Sequence, residues 1–293
     1  MTGGVAGTAA GGLFGDAATA LRRNRAAMLA AVVLALLAVL VVVVPALSPH
    51  PYDRPDWDHI SSPPSLAAGR WFGTDSLGRD LLTRTFHGGR ISLAVGVVST
   101  VVSLVLGIAW GAVAGYAGGR TDRVMMRIVD ILYALPFMFL VILLMVLFGR
   151  NILLIFVAIG AINWLDMARI VRGQTLGLRR REFVEAAEAM GVPPGRIIRR
   201  HIVPNLLGVV AVYVTLTIPQ VILVESFLSF LGLGVQEPMT SWGALVSEGA
   251  QEMETAPWGL VFPAAFLALT LLCFNFLGDG LRDALDPRDR SAP

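Results

Sequence analysis

Four histidines, one cysteine and 21 acids are the side chains from which this 293-residue chain could build acid–base, nucleophilic or metal chemistry. Their spacing builds none of these. His50, His59, His87 and His201 include no i, i+4 pair of the kind that offers two imidazoles to one zinc ion. Cys273 stands alone inside an apolar run, without a disulfide partner, and reads as a small apolar packing residue. No hydroxyl or thiol has the base and orienting group that a hydrolase needs. All 23 basic side chains are Arg. Without Lys neither a phosphate-gripping P-loop nor a Schiff base can form, so the chain is expected to be non-catalytic and to bind no metal or cofactor. The missing Lys fits a GC-rich coding bias.

Acids and bases inside apolar runs are the remaining candidates, because a charge in a membrane segment is costly and marks either a pairing or a pathway. Asp166 and Arg169 lie close enough to pair on one helix face, and Arg127 and Asp130 repeat the spacing. Both read as salt bridges near a membrane boundary, with a gate or pathway role as the alternative. Glu225 has no Arg near it in sequence. It must meet a partner, water or a path for solutes, and two readings stand level: path lining, and hydrogen bonding between packed helices. Phe227, Gly232, Gly234 and Trp242 follow it in a short apolar, glycine-rich stretch. That stretch reads as an outer gate or as an interfacial hairpin with Trp at headgroup level.

The elements that must hold these groups are lipid-soluble. Hydrophobic residues make up 55% of the chain and charged residues 15%, against about 25% charged in soluble domains. Six stretches, 26–47, 91–119, 131–149, 152–170, 205–231 and 258–278, each approach the ~20 residues a helix needs to cross hydrocarbon. Only helices satisfy a lone segment's backbone there. The first stretch is too long and too uniform for a signal-peptide core. Arg22, Arg23 and Arg25 precede it, and Arg clusters recur at 120–127, 172–200 and 282–290, always an even number of crossings away. The loop 232–257 carries Glu237, Glu248, Glu252 and Glu254 and no Arg. By the positive-inside bias both termini are cytoplasmic. The expectation is an all-α integral membrane protein with six transmembrane helices. Residues 1–20 form a disordered tail, 21–47 the first helix and 48–90 an extracytoplasmic loop. A five-helix core fills 91–281, with a cytoplasmic loop at 173–205, and 282–293 form a second tail. A net charge of +2 gives no case for nucleic acid.

Within that loop, residues 183–190 are strong helix formers and Gly191 suits the left-handed cap that ends such a helix. Pro193 and Pro194 open a second short helix, where missing N–H groups cost little. Arg196 to His201 carry its charge, and Pro204 starts the next span. The product is a helix–turn–helix knuckle too polar for lipid.

This segment resembles the signature loop of ABC importer permeases: E-A-A, three residues, G, nine residues, H-x-x-P, met by Glu185, Ala186, Ala187, Gly191, His201 and Pro204. Other stretches resemble the dipeptide/oligopeptide/nickel permeases, in particular the second, C-type of their two membrane subunits. Phe72-Gly73-Thr74-Asp75-Ser76-Leu77-Gly78-Arg79-Asp80 is similar to their G-T-D-x-L-G-R-D loop. Gly115-Tyr116-Ala117-Gly118-Gly119 with Asp122 and Arg127, residues 228–236, Ser241-Trp242-Gly243 and 279–288 also match. Arg70-Trp71-Phe72 departs from the family's His-Pro-Leu. The resemblance spans roughly residues 20–290 and implies a MetI-like ABC permease core with an extra N-terminal helix, in the bacterial cell membrane.

The resemblance also implies partners: a homologous second permease, ATP-binding cassette ATPase subunits that bind ATP and Mg, and an extracytoplasmic substrate-binding protein. Glu185, Ala186, Ala187, Met190, Gly191, Arg196, His201 and Pro204 would form the ATPase-coupling loop, with Gly191 making the turn and the two alanines allowing close approach. Glu225, Phe227, Gly232, Gly234 and Trp242 would border the path or its outer gate. Peptides are the implied cargo, with nickel or another small solute as alternative. An ion-coupled secondary transporter, which Glu225, Pro136 and Pro219 favour slightly, and a channel or scaffold subunit explain the loop motif less well.

Overall fold

The computed structural model describes Gly15 and residues 19–148 and 152–285. Most of the expected tail 1–20, the end of the third expected span, and the C-terminal stretch with Asp286, Pro287 and Arg288 lie outside the described residues. Among the described residues every long element is helical, and the β-structure is two isolated bridges, Ser65–Arg70 and Thr74–Asp80.

Helix α1 (Arg25–Leu47) starts where the Asn24 side chain accepts the Ala27 N–H at 3.1 Å, satisfying one orphan donor of its first turn. Leu29, Val32, Leu36 and Val39 on it are exposed, while Ala27, Ala30, Leu37 and Val41 are buried. It is therefore a peripheral helix with one packed stripe. Helix α2 (Leu81–Ala117) begins ten residues before the expected span. Asp80 caps it, accepting both the N–H and the hydroxyl of Thr83 at 2.9 and 2.7 Å. Arg84 and Arg90 mark the limit of the apolar run, but a capped helix continues past it. At 1.5 Å per residue α2 is about 55 Å long, far more than the ~30 Å hydrocarbon core.

Helices α3 (Gly119–Tyr133) and α4 (Phe137–Phe148) are separated at Pro136, which has no N–H to donate. The third expected span is thus a broken pair whose helical part starts at Gly119. Helix α5 (Ile152–Arg179) absorbs the first residues of the expected loop 173–205. After α6 (Glu182–Ala189) and α7 (Pro194–Ile197), a π-turn (Ile198–Ile202) runs directly into α8 (Val203–Phe230). Helix α9 (Trp242–Gln251) lies inside the stretch expected to be a loop, and α10 (Trp258–Leu285) completes the chain. Among the described residues, four helical segments are long and apolar enough to cross a membrane: α1, α2, the continuous Pro194–Phe230 and α10.

Helix α2 is the bundle's axis, and its tightest partner is α5. Gly107, Gly111 and Gly115 recur every fourth residue, and a Cβ on any of them would collide with Met167, with the Ala168 carbonyl or with the Arg172 carbonyl. Small residues at this spacing let two backbones approach closely, which is how helices gain packing energy in lipid.

Candidate functional site

The motif of residues 185–204 folds as a knuckle at one end of the bundle. Val184 and Ala187, one turn apart, face inward and pack with Ile197, Ile202 and Leu206 in one buried cluster. Glu185, Ala186 and Met190 remain exposed, Met190 at 76%. Of the two alanines of the motif, only Ala186 therefore lies on the open face. Gly191 has φ +76°, and a Cβ there would meet nothing within 4 Å. Conformation, not space, demands glycine. Its N–H bonds to the Glu188 carbonyl at 2.9 Å, and that of Val192 to the Ala187 carbonyl at 3.1 Å. This pair closes a Schellman helix end.

Pro193 and Pro194 open α7 as the sequence implies. Pro204 does not start the next span; it is the second residue of α8 in a helix already running from Pro194. The wider π-turn just before it falls where a proline ring otherwise meets the carbonyl four residues back. The half-buried His201 ring lies 6.4 Å from that of Phe183, tying α6 to this stem. Its carbonyl accepts Asn205 Nδ2 at 2.6 Å. Arg196, Arg199 and Arg200 are exposed. The knuckle thus offers a Met and a Phe between acids on α6 and arginines after it, over a rigid apolar base.

At the opposite end Glu225 is completely buried. Ser229 and Ser92 hydroxyls donate to its two oxygens at 2.6 and 3.2 Å. Ser241, the N-cap of α9, donates to Ser229 at 3.3 Å, and the Trp242 N–H donates to Ser92 at 3.1 Å. The Trp242 indole N–H reaches the Thr85 carbonyl at 2.9 Å. These are hydrogen bonds between packed helices, joining α2, α8 and α9 in one knot. Gly234 packs so closely on Ser229 that a Cβ would overlap its hydroxyl, and Gly232 (φ +76°) ends α8 in a second Schellman pair through Gly232 and Leu233. Phe227 is 54% exposed and lies outside the knot.

Beside the knot is an ion cluster that the sequence reading did not single out. Arg79 and Arg84 are buried. Arg79 donates to Asp75 at 2.7 Å and to Glu237 at 2.8 Å. Arg84 donates to Glu248 on α9 at 2.8 Å, and its Nε sits 3.4 Å from Asp75, an ion-pair distance without hydrogen-bond geometry. Burial alone would lower the Arg79 pKa; the hydrogen bonds to Glu237 and Asp75 outweigh it, and the pKa rises. The Arg79 hydrogen bond holds Glu237 below the usual carboxylate range, while burial pushes Glu248 above it. Arg70, in the segment that departs from the family pattern, donates to Asp56 at 2.7 Å, and Phe72 stacks on Phe262 at 4.0 Å. These side chains serve the chain's own packing.

Between α3 and α5 the expected in-helix pairs are replaced by pairs across helices. Arg169 bonds Asp130 at 3.0 Å rather than Asp166, and its guanidinium lies 4.3 Å over the Tyr133 ring. Arg172 grips Asp122 with two bonds of 2.5 and 2.6 Å.

A bundle of long apolar helices, with an exposed polar knuckle at one end and a buried ion cluster at the other, defines a polytopic membrane protein. Residues 107–291 match the model of the family described as the binding-protein-dependent transport system inner membrane component, and residues 12–64 match that of the N-terminal TM domain of oligopeptide transport permease C. Among similar proteins, the oligopeptide transport system permease protein OppC of Escherichia coli K12 is 60% identical over 95% of this chain and 92% of its own length. OppC of Haemophilus influenzae is 58% identical over 95% and 89%, and the dipeptide transport system permease protein DppC of Bacillus subtilis 48% over 94% and 86%. The chain belongs to the family of binding-protein-dependent transport system inner membrane components. It is a multi-pass permease subunit of the bacterial inner membrane.

Proposed function

We propose that this chain is one of two membrane subunits of an ATP-driven peptide importer, and that its knuckle receives an ATPase subunit. The cargo reading rests on the names of its relatives, which transport oligopeptides or dipeptides. Six crossings, formed by α1, α2, the broken α3–α4, α5, α8 and α10, put both termini and the knuckle in the cytoplasm, where the arginines gather. A second, homologous permease completes the translocation path, a binding protein delivers peptide at the α9 end, and ATP with Mg is bound on the ATPase chains. Energy enters through contacts that differ between two states of the assembly.

The observation that carries this reading is the division of labour within the motif: Val184, Ala187 and Ile197 anchor the knuckle, and Glu185, Ala186 and Met190 are left free. The test is co-purification from a strain expressing the whole system. Gly191→Val forces a β-branched residue to φ +76° and is expected to remove the ATPase while the second permease stays bound. Retention of the ATPase by this variant sinks the docking role. Transport by wild type alone, without ATP, sinks the importer reading.

A further inference from the structure

Two spaces among the described residues lie along α3 and α5. A groove of about 940 Å³ is lined by Arg120, Arg123, Arg127, Arg169 and Arg172 together with Asp122 and Asp130. A cavity of about 320 Å³ is lined by Tyr133, Asn163 and Asp166 among apolar side chains. Their linings meet at one contact. Arg169 belongs to the groove, Tyr133 to the cavity, and the guanidinium of the first lies on the ring of the second.

We propose that Arg169 is an inner gate of the translocation path, a latch released when the carboxylate of a passing peptide takes the place of Asp130 on its guanidinium. This rests on the reading of the chain as a peptide permease. The latch pair is half-open to solvent, with side chains 37% and 55% exposed. Such a pair is worth only about 0–1 kcal/mol, so an incoming carboxylate exchanges with Asp130 at little cost. The neighbouring pair differs. Arg172 holds Asp122 through two bonds, with the Asp122 side chain only 13% exposed, and it stays closed as a fixed wall. The Tyr133 face keeps Arg169 in position while its anion is exchanged.

Charge sets the ligand class. Five arginines against two aspartates make the groove electropositive, and a guanidinium presents paired donors that match a carboxylate. Asp166, one turn from Arg169, lines the cavity on the other side. The order acid, latch, arginines suits a zwitterion, with the peptide ammonium at Asp166 and its carboxylate leading toward the groove.

The test uses the whole transporter with its binding protein and ATP in proteoliposomes, and a peptide compared with its C-terminal amide, each normalised to its affinity for the binding protein. Arg169→Gln is expected to lower uptake of the free acid about tenfold, the loss of one charge-assisted hydrogen-bonded contact, and to spare the amide. Asp130→Asn, which removes the exchanged carboxylate without touching the arginine, is expected to leave ATP-driven uptake of the free acid within about fivefold of wild type, as a pair worth about 0–1 kcal/mol requires. Equal loss of acid and amide together with loss of the second permease on purification makes Arg169 a subunit contact and overturns the gate. Unchanged uptake of both peptides by Arg169→Gln overturns it as well. If wild type takes up neither, the peptide reading itself falls, and the gate with it.

Discussion

At the knuckle end, acids and arginines stand exposed around Met190 over a base of Val184, Ala187 and Ile197. At the α9 end, Arg79, Arg84 and Glu225 are buried and find their partners within the chain, in Asp75, Glu237, Glu248 and two serines, Ser92 and Ser229. The two ends put the same residue types to opposite uses. Exposed polar groups over a rigid base are available to another molecule, and the base keeps their geometry. Buried groups paired within the chain weld helices that are remote in sequence: the end of loop 48–80, the start of α2, the end of α8 and the whole of α9.

The sharpest way to break this contrast is to remove a buried cation. Arg84→Met leaves Asp75 and Glu248 beside an apolar side chain. Removing one partner of a fully buried pair costs about 3–5 kcal/mol; here Glu248 is 36% exposed and both acids keep Arg79 nearby, so the cost is smaller, about 1–3 kcal/mol. The detergent-solubilised complex should unfold at a visibly lower temperature, and α9 should become open to proteolysis. A variant as stable as wild type means that the cluster is not a weld, and the distinction between the ends loses its physical basis.

How much of each end is legible in the sequence follows from the reach of its bonds. The knuckle is readable because its geometry is local. The bonds that turn the chain at Gly191 run between residues 187 and 192, and glycine followed by two prolines announces them. Even so, the motif names Ala186 and Ala187 as equals, and only packing against Ile197 and Ile202 decides that Ala187 turns inward. At the α9 end the partners are 158 residues apart for Arg79 and Glu237, and 164 for Arg84 and Glu248. Nothing local in the sequence pairs them. Glu225 is intermediate: its isolation from Arg is plain in the sequence, but Ser92 lies 133 residues away. Helix α9 is hidden for another reason, since at ten residues it is too short to register as a span. The Gly107, Gly111, Gly115 spacing is a signal that counting apolar runs passes over, although it points to the closest helix contact in the bundle.

A second, smaller effect tests the other side of the comparison. Met190 is 76% exposed and supports no buried contact. Met190→Glu should leave the unfolding temperature of the isolated subunit unchanged, since surface substitutions away from special features stay within about 0.5 kcal/mol. It should nevertheless weaken retention of the ATPase on purification about tenfold, the scale of one hot-spot side chain at an interface. A fall in stability would place Met190 in the base of the knuckle and not on its docking face. Unchanged retention would move the contact away from this residue.

The smallest effect belongs to the exposed arm of the buried cluster. Glu237 is bonded to Arg79 at 2.8 Å, but its side chain is 62% exposed, so solvent screens the pair and it is worth about 0–1 kcal/mol. The arginine holds the Glu237 pKa below its ordinary value. A carboxyl group that is more acidic when folded contributes stability above its unfolded pKa and loses it as pH falls through the folded one. Glu237→Gln should therefore cost little near neutral pH, and wild type and variant should converge in unfolding temperature as the solution is acidified through the lower carboxylate range. Glu248 titrates in the opposite sense, because burial raises it. Its loss of charge begins at higher pH and leaves Arg84 with Asp75 as its remaining acid. A single acid transition common to wild type and Glu237→Gln would then report on Glu248, and a difference confined to lower pH on Glu237. The two halves of the weld are separable by pH alone.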